Sequence, residues 1–164
     1  MISRMSMNGN YLPVTEEDLN KLLDDPDLLS DFLYEEKEEE IIEIDKAWHA
    51  IHYTLNERKW EGIEPLFNVV LGGEQISEED IGYGPARSLL PKQVSEVSNA
   101  LTKIEEKDFR AKFNSEELIK HDIYPQLWDD NIETLDYVST FYNDVRSAFI
   151  KASDQKMAMI LFLN

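Results

Sequence analysis

The chain contains no cysteine among its 164 residues. That absence excludes disulfide bonds, thiolate zinc sites and cysteine nucleophiles, and it leaves the redox compartment open. Basic side chains are scarce, since 16 Lys and Arg stand against 34 Asp and Glu and give a formal net charge of −18. A chain this acidic repels phosphate backbones and anionic membrane surfaces, so we expect neither nucleic-acid binding nor membrane binding.

Long apolar segments are also missing. The longest run, MAMILFL at residues 157–163, is too short to cross a bilayer, and the first residues lack the apolar region of a secretory signal. We therefore expect a cytoplasmic protein. Apolar residues still make up 42% of the chain, which is enough to bury the core of one domain.

The surplus of negative charge has two interpretations. It can serve solubility alone, and the densest block, EEKEEE at residues 35–40, is typical of a solvated helix end or an exposed loop. It can also attract a basic protein partner. The sequence leaves both interpretations open.

Helix signals outnumber strand signals along the chain. Helices are predicted from caps and apolar spacing after Thr15, at 25–34 with Asp25 as cap, at 45–56, from Pro91 to about 104, after Asn114 and from about 131 to 152. Strands are predicted at 10–14, after the glycine-rich loop 82–87 and at the C-terminus. Because strands and helices do not alternate regularly, we predict a single α+β domain, mainly helical with a small mixed β-sheet.

The segment EIDKAWHAIHYTLN, residues 43–56, carries the most distinctive polar pattern. On a helical wheel its apolar side chains share one face, which holds Ile44, Ala47, Trp48, Ile51 and Leu55. A polar stripe adjoins that face and holds Asp45, His49, His52 and Asn56. The two histidines are therefore expected at the edge of the core.

Three roles fit this polar stripe. Asp45 lies four residues before His49 and can orient its imidazole as a general base, with His49 or His52 as the catalytic residue. The two histidines can contribute to a metal site, but no HExxH or similar pattern supplies further ligands, and we predict no metal. The third role is structural, with paired core histidines and Asp45 as the N-cap of the helix.

A second distinctive segment is GYGPAR at residues 82–87. Gly82 and Gly84 permit positive φ and a close backbone approach, and Arg87 behind the turn can clamp a carboxylate or phosphate. The pattern is neither GxGxxG at a helix start nor a P-loop, so nucleotide binding is unsupported and no cofactor is predicted. The structural alternative is a tight turn whose Arg87 pairs with one of the many acids, Asp45 among them.

Several blocks together resemble the YfbM-like family of bacterial proteins, a domain of unknown function. In order along the chain they are MSMNGNYLPVTEEDLNKLL, IDKAWHAIHYTLN, LGGEQI, DIGYGPARSLLPKQV and IYPQLW. The resemblance implies one α+β domain over residues 5–164 with residues 1–4 as a tail, and a bacterial cytosolic protein. It implies no activity. The family's motif residues fall here on Asp45, Lys46, Trp48, His49, His52, Gly82, Tyr83, Gly84, Pro85 and Arg87.

Two functions from different classes follow as hypotheses. The first is an acidic binding module that recognises a basic protein partner, as an immunity-like protein would, or a small anionic ligand. Its cleft would lie between helix 45–56 and loop 82–87, with ligand-binding residues Lys46, Trp48, Tyr83 and Arg87. The second is a small hydrolase-like enzyme with His49 or His52 as base and Arg87 as anion clamp. The oligomeric state is not predicted.

Overall fold

The computed structural model describes residues 6–164 and is built around a five-stranded sheet. The strands are β1 (Gly9–Val14), β2 (Ile42–Glu43), β3 (Glu74–Gln75), β4 (Arg87–Leu89) and β5 (Ala158–Leu163). Their order across the sheet is β2-β1-β5-β4-β3. The central pair joins the two ends of the chain, since β1 runs antiparallel to β5 from Gly9 opposite Leu163 to Val14 opposite Ala158.

Both faces of this sheet are covered by helices. Successive residues of a strand point to opposite faces, so Tyr11 and Leu161 pack into one apolar cluster while Leu12 and Ile160 pack into another. Because helices cover both faces of the sheet, the β5 sequence AMILFL is apolar throughout and does not alternate with polar residues.

The larger helical layer lies on the Tyr11 face. It is formed by α3 (Trp48–Asn56), α4 (Pro91–Thr102), α5 (Glu106–Lys112), α6 (Ser115–Lys120) and α7 (Ile132–Asp154). The buried residues of α7 include Val138, Tyr142, Val145 and Phe149, which recur at the spacing of one helical face and form an apolar stripe. Within residues 6–164 no helix is both long enough and apolar enough to span a membrane.

The smaller layer covers the opposite face. Helix α1 (Glu16–Asp24) begins at Thr15, whose side chain accepts the N–H of Asp18 as predicted. The next segment is helical but irregular, with a 3₁₀ turn (Pro26–Leu28), the short α2 (Leu29–Asp31) and a π turn (Phe32–Glu36). Residues 35–40 follow on the surface and are largely exposed, in agreement with the solvated interpretation of the acidic block.

The α+β class is confirmed, and several details differ from expectation, among them the short strands β2 and β3, which the sequence does not predict. The sheet is antiparallel at each of its pairings, not mixed, because no helix returns one strand beside another in the same direction. Helix α5 was not predicted. The side chain of Asp25 makes no capping hydrogen bond, although the turn does begin at Pro26. The predicted tail, residues 1–4, lies outside the described residues.

Candidate functional site

The predicted helix 45–56 begins with a break. Asp45–Ala47 form a 3₁₀ turn and α3 follows from Trp48. Asp45 has a φ of +51°, in the left-handed region that aspartate tolerates better than most residues. The N-cap of α3 is Ala47, not Asp45. The Asp45 carboxylate instead accepts a hydrogen bond from the Tyr137 hydroxyl (2.8 Å) and lies 3.2 Å from the Lys46 ammonium.

His49 is fully buried and both of its ring nitrogens are paired. Nε2 lies 2.8 Å from the carbonyl oxygen of Lys59, and Nδ1 accepts the backbone N–H of Tyr124 at 2.9 Å. The ring also stacks between Trp48 and Trp60, with ring centroids 5.1 and 4.3 Å away. His49 therefore joins two loops that are distant in sequence.

His52, one turn further along α3, is also fully buried and paired. Its Nε2 lies 3.0 Å from the carbonyl oxygen of Glu61, and its Nδ1 lies 3.3 Å from the side-chain nitrogen of Asn56. Asn56 in turn donates to the carbonyl of Leu66 at 3.2 Å. The polar stripe thus binds the backbone of the loop that follows its own helix.

These partners define the chemical state of both imidazoles. A ring nitrogen that faces a carbonyl oxygen must carry a proton, and one that accepts an N–H must not, so both rings are the neutral Nε2–H tautomer. Burial is the main cause that lowers the pKa of both His49 and His52 to about 4. No ring nitrogen of His49 is left for Asp45, so the expected Asp45–His49 pair does not form.

The glycine loop is closed by its own aspartate. Asp80 Oδ1 accepts the backbone N–H groups of Gly82 (2.8 Å) and Gly84 (3.0 Å), and Gly84 has a φ of +95°, as the prediction of positive φ requires. Tyr83 is 36% exposed, and its backbone N–H donates to the carbonyl of Leu163 at 3.1 Å. Because a carboxylate already fills the loop, it does not form an anion cradle.

Arg87 faces inward from the first position of β4. Its Nη1 donates to the carbonyl oxygens of Val70 (3.0 Å) and Gly72 (2.7 Å). Burial lowers the pKa of Arg87 from its ordinary value, and the neighbouring Tyr11 opposes that shift. The expected pairing of Arg87 with an acid such as Asp45 is not observed, because the guanidinium clamps the backbone of the segment before β3.

The predicted cleft between helix 45–56 and loop 82–87 is absent from residues 6–164. The space that Trp48 and Arg87 share has a volume of about 10 Å³, which is the size of one water molecule. Trp48 is 2% exposed and donates its indole N–H to the carbonyl of Met7. Trp48 is therefore buried at this point, whereas Gly82 and Tyr83 of the loop are exposed, and the two segments do not form the predicted open cleft.

An open pocket of about 380 Å³ does lie at the start of the helix. We call it the α3–α7 pocket; it is lined by Asp45, Lys46, Pro125, Leu127, Trp128, Glu133, Thr134 and Tyr137. Of the predicted site residues, Asp45 and Lys46 belong to it, whereas His49, His52, Trp48, Tyr83 and Arg87 do not.

Hydrogen bonds fix the polar wall of the α3–α7 pocket. The Tyr137 hydroxyl donates to Asp45 and accepts the backbone N–H of Lys46 at 3.1 Å, which stabilises the unusual backbone of Asp45. Burial, followed by the bond to Asp45, raises the pKa of Tyr137. The apolar wall is fixed as well, since the Trp128 indole donates to the carbonyls of Ile123 and Tyr124.

The sequence pattern does not predict most of this pocket. Pro125, Leu127 and Trp128 belong to a turn predicted only as an apolar loop, and Tyr137 lies on the partly exposed side of α7. A weak signal was present in the IYPQLW block, where apolar residues occur in a segment that cannot be a regular helix or strand. No cluster of three or more potential metal-ligating His, Asp or Glu residues occurs in the described part of the chain.

Comparison with known proteins agrees with the fold. The model for a domain of unknown function, DUF1877, matches residues 5–162. Among solved structures, the protein of unknown function YfbM from Escherichia coli is similar with a TM-score of 0.73 over 96% of this chain and 99% of that chain. The two sequences are 20% identical, so this likeness shows the fold alone. No curated protein matches the sequence.

The buried histidines predict a loss of stability in mild acid. The unfolded imidazoles take up protons near pH 6.5, but the folded ones do so only near pH 4, so the unfolded state binds more protons between these values. The free energy of unfolding should therefore fall as the pH drops through this window, by about 3 kcal/mol per histidine. Urea denaturation at successive pH values measures it.

His52→Gln is the matched variant for that experiment. Glutamine keeps an amide N–H that can reach Glu61 but does not titrate, so subtracting its pH profile removes the contribution of the carboxylates. The difference between the two profiles should be confined to about pH 4–6.5. Identical slopes for the two proteins would contradict the assignment of a buried neutral imidazole.

The inward clamp of Arg87 predicts a structural effect. Arg87→Met should lower the free energy of unfolding by about 2–3 kcal/mol, because two buried carbonyls lose a charged donor. Arg87→Lys should lose less, since one ammonium can still donate. Thermal and urea unfolding measure both variants. If Arg87→Met leaves the free energy of unfolding unchanged, the guanidinium has no structural role and is available to bind an external ligand.

Proposed function

This chain belongs to the DUF1877 family of domains of unknown function, and we propose that it is a binding module for a basic protein partner. The partner inserts an apolar side chain, flanked by lysine or arginine, into the α3–α7 pocket. The observation that carries this proposal is an open apolar pocket with an acidic wall in a chain of net charge −18.

The shape of the pocket supports an apolar anchor. Leu127 is 78% exposed at its rim, and the neighbouring Ile132 is 58% exposed, whereas Trp128 at its wall is 7% exposed. Large apolar side chains are costly to leave in water, and their grouping beside a concave surface is typical of an interaction site. Because hydrogen bonds already hold Trp128 and Asp45, the partner meets a preformed surface.

The charges around the pocket favour a cation over an anion. Asp45 and Glu133 line it, and among residues 6–164 Lys46 is the one basic residue of the lining and already pairs with Asp45. The N-terminus of α7, which could attract an anion, is occupied by the chain's own Asp129, whose Oδ1 accepts the N–H of Asn131 and the hydroxyl of Thr134. We therefore favour the basic partner over the small anionic ligand.

The enzyme hypothesis receives less support. A general base needs access to a substrate, and His49 and His52 are both 0% exposed with paired nitrogens. The catalytic roles of Asp45, His49 and His52 and the ligand-binding roles of Trp48, Tyr83 and Arg87 stay predictions from the sequence. A cytoplasmic location and a bacterial origin remain part of the proposal.

A peptide that alternates arginine and leucine tests the proposal. Titration of the ¹⁵N-labelled protein should shift the backbone resonances of Leu127, Trp128, Thr134 and Tyr137 in a saturable way. Asp45→Asn keeps the shape and the left-handed backbone but removes the charge, and should weaken binding about fivefold. Leu127→Ser removes the apolar contact and should weaken it about tenfold.

A second peptide with citrulline in place of arginine is the control. It keeps the apolar side chains and loses the charges, so it should bind more weakly than the arginine peptide. If both variants bind as the parent does, or if the shifts spread over the acidic surface and vanish in moderate salt, attraction is nonspecific and the proposal fails.

A further inference from the structure

The loop that follows α3 is largely exposed and yet closely tied to the helix. Side chains of α3 bind its backbone at three points, which are the carbonyls of Lys59, Glu61 and Leu66. Gly62 lies so close to the helix that a Cβ atom there would be 2.4 Å from Asn56 Oδ1. A loop fixed in this way presents its outward side chains in a defined arrangement, which lowers the entropic cost of binding.

Trp60 is the large aromatic residue that this loop presents. It is 52% exposed, whereas Trp48 and Trp128 are 2% and 7% exposed. Its ring is nevertheless fixed, because it stacks on the buried His49 imidazole with centroids 4.3 Å apart and planes at 24°. A tryptophan that is both held in place and half exposed is typical of a residue that binds a partner.

A cation already lies over the Trp60 ring. The Lys59 ammonium is 5.9 Å from the ring centroid, within the range of a cation–π interaction. A carboxylate lies beside the same residue, since Glu61 Oε1 accepts the backbone N–H of Trp60 at 3.3 Å. The surroundings of Trp60 therefore combine the two groups that bind a guanidinium, which are an aromatic face and a carboxylate.

The charges of the loop leave room for a further cation. Its basic residues, Arg58 and Lys59, are outnumbered by Glu57, Glu61 and Glu64, in a chain of net charge −18. Arginine suits the Trp60 ring better than lysine does. A guanidinium is planar, stacks on an indole ring and can bind a carboxylate with two N–H donors at once.

Trp60 also lies within reach of the α3–α7 pocket. Asp45 lines that pocket and precedes His49 by about one helical turn, or roughly 5.4 Å, and the Trp60 ring stacks on His49. The combined distance is about 10 Å. An extended peptide rises about 3.3 Å per residue, so an arginine three residues from an apolar anchor spans it.

From this arrangement we propose that Trp60 and Glu61 form an arginine-binding subsite for the basic partner of the α3–α7 pocket. The inference rests on the proposed function and deepens it, because it names arginine, and not lysine, as the basic residue near the apolar anchor. The guanidinium stacks on the Trp60 ring in place of the Lys59 ammonium and donates to the Glu61 carboxylate. A stable interface buries about 800 Å² on each partner, more than one pocket supplies, so a protein partner needs a second contact of this kind.

Two peptides of equal length and charge test the subsite, one alternating arginine with leucine and the other lysine with leucine. Each is titrated into the ¹⁵N-labelled full-length protein, and the indole N–H resonance of Trp60 is followed beside the backbone resonances of Leu127 and Trp128. The arginine peptide should shift all three and bind about fivefold more tightly than the lysine peptide. It should also protect Trp60, the exposed one of the three tryptophans, from quenching by acrylamide.

Trp60→Leu is the decisive variant. Leucine keeps an apolar side chain and lacks the ring, so the preference for arginine over lysine should vanish, whereas Trp60→Phe should retain part of it. Leu127→Ser, in the pocket, should weaken both peptides equally and leave the preference unchanged.

Lys59→Ala keeps the test decisive if Trp60→Leu does not fold. It removes the competing ammonium and leaves the backbone carbonyl that pairs with His49. The affinity for the arginine peptide should rise severalfold. An unchanged affinity would contradict the displacement of Lys59 by the guanidinium.

The results separate this inference from the proposed function. If both peptides shift Leu127 and Trp128 but not the Trp60 indole, or if Trp60→Leu keeps the preference for arginine, the subsite is contradicted and the pocket proposal stands. If the Trp60 indole shifts and the pocket resonances do not, the pocket proposal fails and the arginine subsite stands alone. If neither responds, both proposals are overturned.

Discussion

Two buried neutral imidazoles on one helix hold together the irregular parts of this protein. His49 and His52 use their Nε2–H groups to bind the carbonyls of Lys59 and Glu61, so they fix the loop that follows α3. His49 also accepts the N–H of Tyr124 and thereby fixes the turn that carries Pro125, Leu127 and Trp128. The wall of the α3–α7 pocket thus depends on a histidine that does not touch the pocket.

The polar groups buried on α3 and those on the protein surface differ in charge. The buried polar groups on α3 are neutral, while the carboxylates that give the chain its net charge of −18 are mostly on the surface. Two of the surface pockets lie at the two ends of α3, one beside Asp45 and the other beside Glu57.

Much of the fold is predictable because its signals are local. Thr15 begins α1, Pro91 begins α4, and the apolar stripe of α7 requires no knowledge of distant residues. The relative direction of neighbouring strands is not predictable from local signals, because it depends on which strands pair after folding. Helix α5 is not predicted because Phe109 is its one buried apolar residue. A single residue cannot show the apolar periodicity by which a helix is predicted from sequence.

The candidate site was harder to predict for the same reason. The helical wheel placed His49 and His52 beside the core, but it could not show that backbone carbonyls of residues 59 and 61 would pair with them. Arg87 has the sequence context of an anion clamp and turns inward, because the carbonyls of Val70 and Gly72 lie within its reach. The α3–α7 pocket combines three segments, and only Asp45 and Lys46 come from a segment with a chemical pattern.

The most direct test of the central claim is the tautomeric state of the imidazoles, measured by long-range ¹H–¹⁵N NMR between about pH 7 and pH 5. His49 and His52 are both expected to remain the neutral Nε2–H tautomer throughout. Titration of either ring in that range, or a proton on Nδ1, would contradict it.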